Sequence, residues 1–258
     1  KQRKKILAEI KQIENKNTDI KNDYENSYIP YVELVKKLEG KIQYRQYAEK
    51  YISDSINNII EILISNNFLS ADSLLTDRGI VASSIMEIHG LVFSELYNLH
   101  NGFEDLSYIE IGQLLSCFYP VKVPDDKKSI NIPDFTSYKL TEYLNILKEK
   151  MDYYLDQEIK YNLDVGYCYD YHYDLIEFIS RWCSINDEKT SLIFLNEMKN
   201  KKEIFVGDFV KCCIKITNII REMKTICEYF NHFNCLEKLN NLEKYLVKFV
   251  VTNDSLYL

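Results

Sequence analysis

Chain breakers are scarce in this sequence. Its 258 residues include 7 Gly and 4 Pro, about 4% together against an ordinary usage near 12%, which excludes a turn-rich sandwich, barrel or linker array. No apolar run approaches the ~18 residues that a membrane span requires, so no membrane partner is expected. Arginine is scarce too: Arg3, Arg45, Arg78, Arg181 and Arg221 stand against 27 Lys. With abundant Asn, Ile and Tyr, that bias is attributed to an AT-rich genome before any function. An apolar signal core is missing, because Lys1 to Lys5 (KQRKK) leads directly into a charged helix. With Lys in place of Met at position 1, the chain reads as a fragment of something longer. Seven cysteines (Cys117, Cys168, Cys183, Cys212, Cys213, Cys227 and Cys235) make an odd set without the spacing of a secreted disulfide framework. They fit an intracellular, reduced protein, with nucleus and cytoplasm not distinguished.

What is present is a core-forming, helical composition. The apolar fraction of 46% suffices for a real core despite 28% charged residues, and the length allows one large domain or two small ones. The expected fold class is all-α. The net charge of −7 divides unevenly: +4 over residues 1–50, −13 over 51–200 and +2 over 201–258. The whole balance argues against wrapping nucleic acid by charge alone, while the segments permit a basic strip at either end.

Residues 1–27 repeat Ile6, Ile10, Ile13 and Ile20 on a polar background, the pattern of a long exposed helix or one arm of a coiled pair. Pro30 is expected to interrupt it. A second helix runs through Val32, Val35, Leu38 and Ile42 toward Tyr51, and a third spans Ser53 to Phe68, closed by Asn66-Asn67. The stretch from Leu74 to Ile85 has β-branched residues and Arg78-Gly79 where a short hairpin would turn. Helices follow at Leu91–Leu99 and from a capping box, Ser107-Tyr-Ile-Glu110, to Phe118. Pro120, Pro124 and Pro133 mark a loop. Further helices are predicted at about Ser137–Tyr161, Asp170–Cys183, Asp187–Asn200, Asp208–Phe230 and Leu236–Val251.

Catalytic signatures are absent. There is no GxxxxGK[ST] phosphate loop, since Gly40-Lys41 continues into Ile42 without the upstream glycine, and there is no DExH run, GxSxG, HExxH or GxGxxG. His89, His100, His172 and His232 are widely separated. Cys168 and His172 could share a helix face, yet a metal needs more ligands than two, and unrelated, partly buried side chains are the bland alternative. Cys212-Cys213 reads as helix packing, not redox chemistry, and aromatic residues at helical spacing, among 21 tyrosines, read mainly as core. One helix stands out. Phe209, Cys213, Ile216, Ile220, Met223, Cys227 and Phe230 form an apolar stripe that must be buried, and another face carries Lys211, Lys215, Asn218 and Glu222. That face is either solvated or lines a nucleic-acid channel, with cations one turn apart meeting successive phosphates.

Several segments resemble a known family. Arg78-Gly79-Ile80-Val81-Ala82, within Leu75 to Ile85, looks like the K-G-R-V-A element of the superkiller-type, exosome-associated DExH RNA helicases of superfamily two. Leu91-Val-Phe-Ser-Glu-Leu96 resembles that family's L-x-L-T-E-L-L, and Leu114-Leu-Ser-Cys-Phe118 its A-L-L-S-C-F. Glu177-Phe-Ile-Ser-Arg-Trp-Cys183 is similar to its Y-x-W-C segment, Gly207-Asp-Phe-Val-Lys211 to its E-G-x-x-x-R, and Ser255-Leu-Tyr-Leu258 to its S-L-Y-L ending. All six occur in the family's order and cover about 55–258.

The resemblance implies a helical bundle, the DSHCT domain, that packs over two RecA-like motor domains and closes a channel for single-stranded RNA. By position it implies stalk helices at 1–52, a winged-helix remnant with a short β-hairpin at 53–85, and the bundle at 86–258. Lys215 falls where the family usually has an RNA-facing Arg, and Lys211 on the basic position one turn earlier. Lysine keeps the phosphate charge and loses the planar fork. After Ser-Cys-Phe the family commonly has an acid facing the RNA, whereas Tyr119-Pro-Val-Lys122 brings a cation, so Lys122 joins Lys211 and Lys215 as a candidate RNA contact. Val206 stands where Glu is usual. No catalytic residue, metal site or cofactor is expected in the fragment, with ATP and Mg belonging to motor domains upstream. The expected function is the accessory C-terminal region of an ATP-dependent 3′-to-5′ RNA helicase, with exosome-type or adaptor proteins as possible stalk partners. The alternative is a non-enzymatic helical protein-interaction module.

Overall fold

A computed structural model describes residues 2–252, the side chain of Lys21 excepted. The Ser255–Leu258 segment of the resemblance lies outside them. Two compact units divide the chain, Lys1–Asn58 and Ile59–Leu258.

The first unit is helical through its described residues but for a turn at Asn17. α1 (Gln2–Lys16) and α2 (Thr18–Asp23) lead into a π-helical turn, Tyr24–Tyr28, and then into α3 (Ile29–Ser65). The interruption expected at Pro30 therefore takes another form. Pro30 is the second residue of α3 and follows directly on the π-helical turn, so the helical run continues through it. The two helices predicted between Val32 and Phe68 are one helix of 37 residues, closed as expected at Asn66-Asn67, where Asn67 takes a φ of 60°. Ile6, Ile10, Ile13 and Ile20 are exposed along this unit, so its apolar seam is unfilled among the described residues.

The second unit opens with a correction. No hairpin turns at Arg78-Gly79: the segment is helix α4 (Asp77–Ser83), begun by Thr76, whose Oγ1 accepts the Gly79 N–H at 3.1 Å. A good N-cap outweighed β-branched propensity. The antiparallel pairing among the described residues is a single bridge, Leu69 with Leu75. Gly79 serves close approach rather than a turn, since a Cβ there would lie 2.1 Å from the Phe68 carbonyl oxygen and 2.9 Å from Leu75 Cδ2.

The bundle proper comprises α5 (Gly90–Tyr97), α6 (Tyr108–Ser116), α7 (Tyr138–Tyr161), α8 (Ile176–Ser184), α9 (Glu188–Lys202), α10 (Val206–Phe230) and α11 (Phe233–Leu246). The capping box at Ser107 and Glu110 is present in both directions. α6 is central, touching α7, α8, α10 and α11, and Gly112 lets Leu242 and Ile179 lie against it. Three boundaries differ from the periodicity. α8 begins at Ile176, not Asp170, because residues 170–174 are committed elsewhere: the His172 N–H donates to the Cys117 carbonyl at 2.9 Å, and Asp174 accepts from Lys202 and Ser129. α11 runs from Phe233 to Leu246 instead of to Val251. The chain turns at Glu203, with φ 57°, and α10 begins at Val206 rather than Asp208, which puts Gly207 inside it.

Buried His89 caps α5, its Nδ1 accepting the Val92 N–H at 3.3 Å, and its ring packs against Tyr154, Tyr167 and Tyr169. Burial holds its pKa down at about 4, from an ordinary 6.5. The unfolded chain therefore binds a proton that the folded chain refuses between those values. The contribution is complete above pH 6.5 and is lost as pH falls toward 4, by up to about 3 kcal/mol. Urea unfolding at pH 7 and 4.5 checks this: His89→Asn, which can still cap, should lose less stability on acidification than the wild type. Equal losses would remove His89 as the titrating group.

Candidate nucleic-acid interface

α10 is built from two opposed stripes. Phe209, Cys213, Ile216, Ile220, Met223 and Cys227 are wholly buried, as their spacing predicts, and Phe230 is partly so. Burial raises the thiol pKa values of Cys212 and Cys213, which suits packing and not nucleophilic chemistry. The other stripe carries Lys211, Lys215, Asn218 and Glu222, and its members behave differently.

Lys211 is 65% exposed, and Asp208, one turn back, is 3.8 Å from its ammonium. An exposed pair of this length is worth little, so the charge of Lys211 is available to a ligand. Lys215 is committed. Its Nζ is 2.9 Å from Glu87 Oε2 and also donates to the Glu87 carbonyl. Asn218 Nδ2 reaches Glu87 Oε1 at 3.4 Å, while Glu222 accepts the Met86 and Glu87 N–H groups at 3.2 and 3.4 Å. Three of the four residues thus hold the segment between α4 and α5.

Lys122 is exposed in the loop after α6, with no partner among the described residues. The loop begins near the first turn of α10: burial raises the Tyr119 phenol pKa, and the nearby Asp208 carboxylate adds to the effect. Lys211 and Lys215 therefore share a helix face one turn apart, and Lys122 sits on a separate element. Sequence reasoning missed Arg221, which continues the Lys211–Asn218 spacing and is 67% exposed, with Glu243 at 4.0 Å and Asn218 Oδ1 at 3.3 Å. The i, i+3, i+4 recurrence was the signal that could have found it.

Other sites offer less chemistry. Cys168 and His172 lie in irregular chain, not on a helix, and Cys168 Sγ donates to Asp170 at 3.3 Å. Among the described residues no three His, Cys, Asp or Glu side chains converge on a metal position, and no described helix is long and apolar enough to cross a membrane. A cavity of about 300 Å³ between the end of α3, α4, α5 and α7 is lined mainly by apolar groups such as Ile62, Phe68 and Ala82, with His89, Tyr154, Gln157 and Glu158 among its polar ones.

No curated protein matches the chain. The DSHCT (NUC185) domain family matches residues 72–253, a span that contains α4 through α11 and both lysines of the α10 face. That domain is the C-terminal region of superkiller-type helicases. With most of its length matched, this chain belongs to the DSHCT (NUC185) family.

Proposed function

We propose that the chain is the C-terminal accessory region of an ATP-dependent 3′-to-5′ RNA helicase and that α10 forms part of the wall along which single-stranded RNA moves. The observation that carries this reading is the exposed, weakly paired Lys211 on α10, with Lys215 one turn on, in a chain of a helicase family. In this reading the chain's part is to hold RNA while the chemistry takes place elsewhere. ATP and Mg would act in RecA-like motor domains, and α10 would hold RNA phosphates between motor strokes. Lys122 would add a cation at the loop beside the first turn of α10.

Lys215 reaches a phosphate only by leaving Glu87, so its contribution is conditional. The reading is tested with oligo(U) and oligo(A) binding at low salt. Lys211→Ala with Lys215→Ala should weaken both by the same factor, up to about fivefold for each lysine, because ammonium groups contact phosphate and not base. Glu87→Gln is the control: it removes the same ion pair yet leaves the ammonium, and should keep or strengthen binding. Unchanged affinity in the double variant, or an equal loss in Glu87→Gln, would overturn the assignment.

A second reading has its own support. The exposed Ile6, Ile10, Ile13 and Ile20 of the first unit suit a protein partner laid along that seam. Adaptor or exosome-type proteins binding the stalk would use it, whether or not the chain is joined to a motor.

A further inference from the structure

Phe205 is poorly placed for stability. It is the N-cap of α10, a position that favours Ser, Thr, Asp and Asn, and it makes no side-chain cap. Thr76, Ser107, Ser137 and Asp187 all do so at α4, α6, α7 and α9. Nor is it core, for the residue is 59% exposed. Its ring carries a cation, Lys199 Nζ, 5.7 Å from the centroid. Lys199 is itself exposed and has no carboxylate partner among the described residues. Lys211 stands six residues along, about 9 Å of helix.

An exposed aromatic ring with one cation beside it, Lys199, and a second on the next turns of α10, Lys211, is complementary to a nucleotide, whose base is flat and apolar and whose phosphates are anionic. We propose that Phe205 is a stacking platform for one base of single-stranded RNA, with Lys199 and Lys211 meeting the flanking phosphates. This rests on the RNA reading above and deepens it, from phosphate contact on α10 to a base contact at its start. Asp208 lies between the two cations in sequence and pairs weakly with Lys211. The contact is tolerant of sequence, since every base offers a π-face.

The experiment compares fluorescent oligo(U) binding by the wild type, Phe205→Leu and Phe205→Trp in the whole chain, with ultraviolet cross-linking to locate the contacted peptide. Because Phe205 is largely exposed, each variant should unfold at the wild-type urea midpoint. Leu keeps apolar bulk without a π-face and should weaken binding about five- to a hundredfold, with loss of the cross-link at position 205. Trp should bind as tightly as the wild type or more so. Wild-type affinity in Phe205→Leu overturns the platform and leaves the RNA reading standing. Equal weakening by Leu and Trp assigns Phe205 to packing and likewise overturns it. Absence of binding by the wild type overturns both.

Discussion

Trp182→Ala is expected to lower the unfolding free energy of the bundle by about 3–5 kcal/mol. The side chain on α8 is completely buried, and its Nε1 donates to the Leu246 carbonyl at 3.0 Å. Phe209 and Phe249 meet its ring edge-on, at centroid distances of 5.3 and 6.0 Å, and Phe194 lies 5.7 Å away. One indole thereby joins α8, α9, α10 and the chain after α11. Truncation opens a cavity among three aromatic rings and removes one of two donors to the Leu246 carbonyl, which keeps the Lys248 N–H at 3.1 Å. Trp182→Phe separates the two costs: it fills most of the space and loses only the N–H, so about 1–2 kcal/mol is expected. Urea unfolding measures both. A loss below about 1 kcal/mol for Ala would mean that the indole is not the keystone of this corner.

Lys202→Met should cost nearly as much, about 3–5 kcal/mol. Lys202 Nζ is 2.8 Å from Asp174 Oδ1 and 2.7 Å from Ser129 Oγ, and it donates to the Lys127 carbonyl. Asp174 is almost wholly buried, with Ser129 N–H as its other donor at 2.7 Å and one oxygen without a partner. Removing the ammonium leaves a buried carboxylate with the Ser129 N–H as its remaining donor. The same contacts pin the loop after α6, including Lys127, to the end of α9, so the variant should also loosen the surroundings of Lys122. Adding Asp174→Asn removes the stranded charge and should recover part of the loss. A double variant no more stable than Lys202→Met would show that the cost lies in packing, not in charge.

These two anchors mark what the sequence could and could not disclose. Periodicity alone identifies the buried stripe of α10, and the Ser107–Glu110 box identifies the start of α6, because both signals lie within a few residues of each other. The Thr76 N-cap lies among β-branched neighbours, so residues 77–83 carry a hairpin pattern and yet fold as a helix. Pro30 does not end the helix, because a π-helical turn directly before it carries the helical run into α3. The site was half legible. Lys211 and Lys215 share a face by spacing, yet Glu87, which occupies Lys215, stands 128 residues away and leaves no local trace. Phe205 was hidden for the opposite reason: an aromatic residue beside an apolar helix looks like core until its exposure is known.

RNA placement on α10 is tested most directly by the salt dependence of single-stranded RNA binding, measured from ~50 to ~200 mM monovalent salt on the wild type and on Lys211→Ala/Lys215→Ala side by side. Each phosphate contact contributes about 0.7 to the slope of log affinity against log salt for single strands. We expect the double variant to bind more weakly at every salt, with a slope shallower by about 1.4 if both lysines meet phosphates and by about 0.7 if Glu87 keeps Lys215. Coincident slopes and affinities would contradict an RNA path along α10.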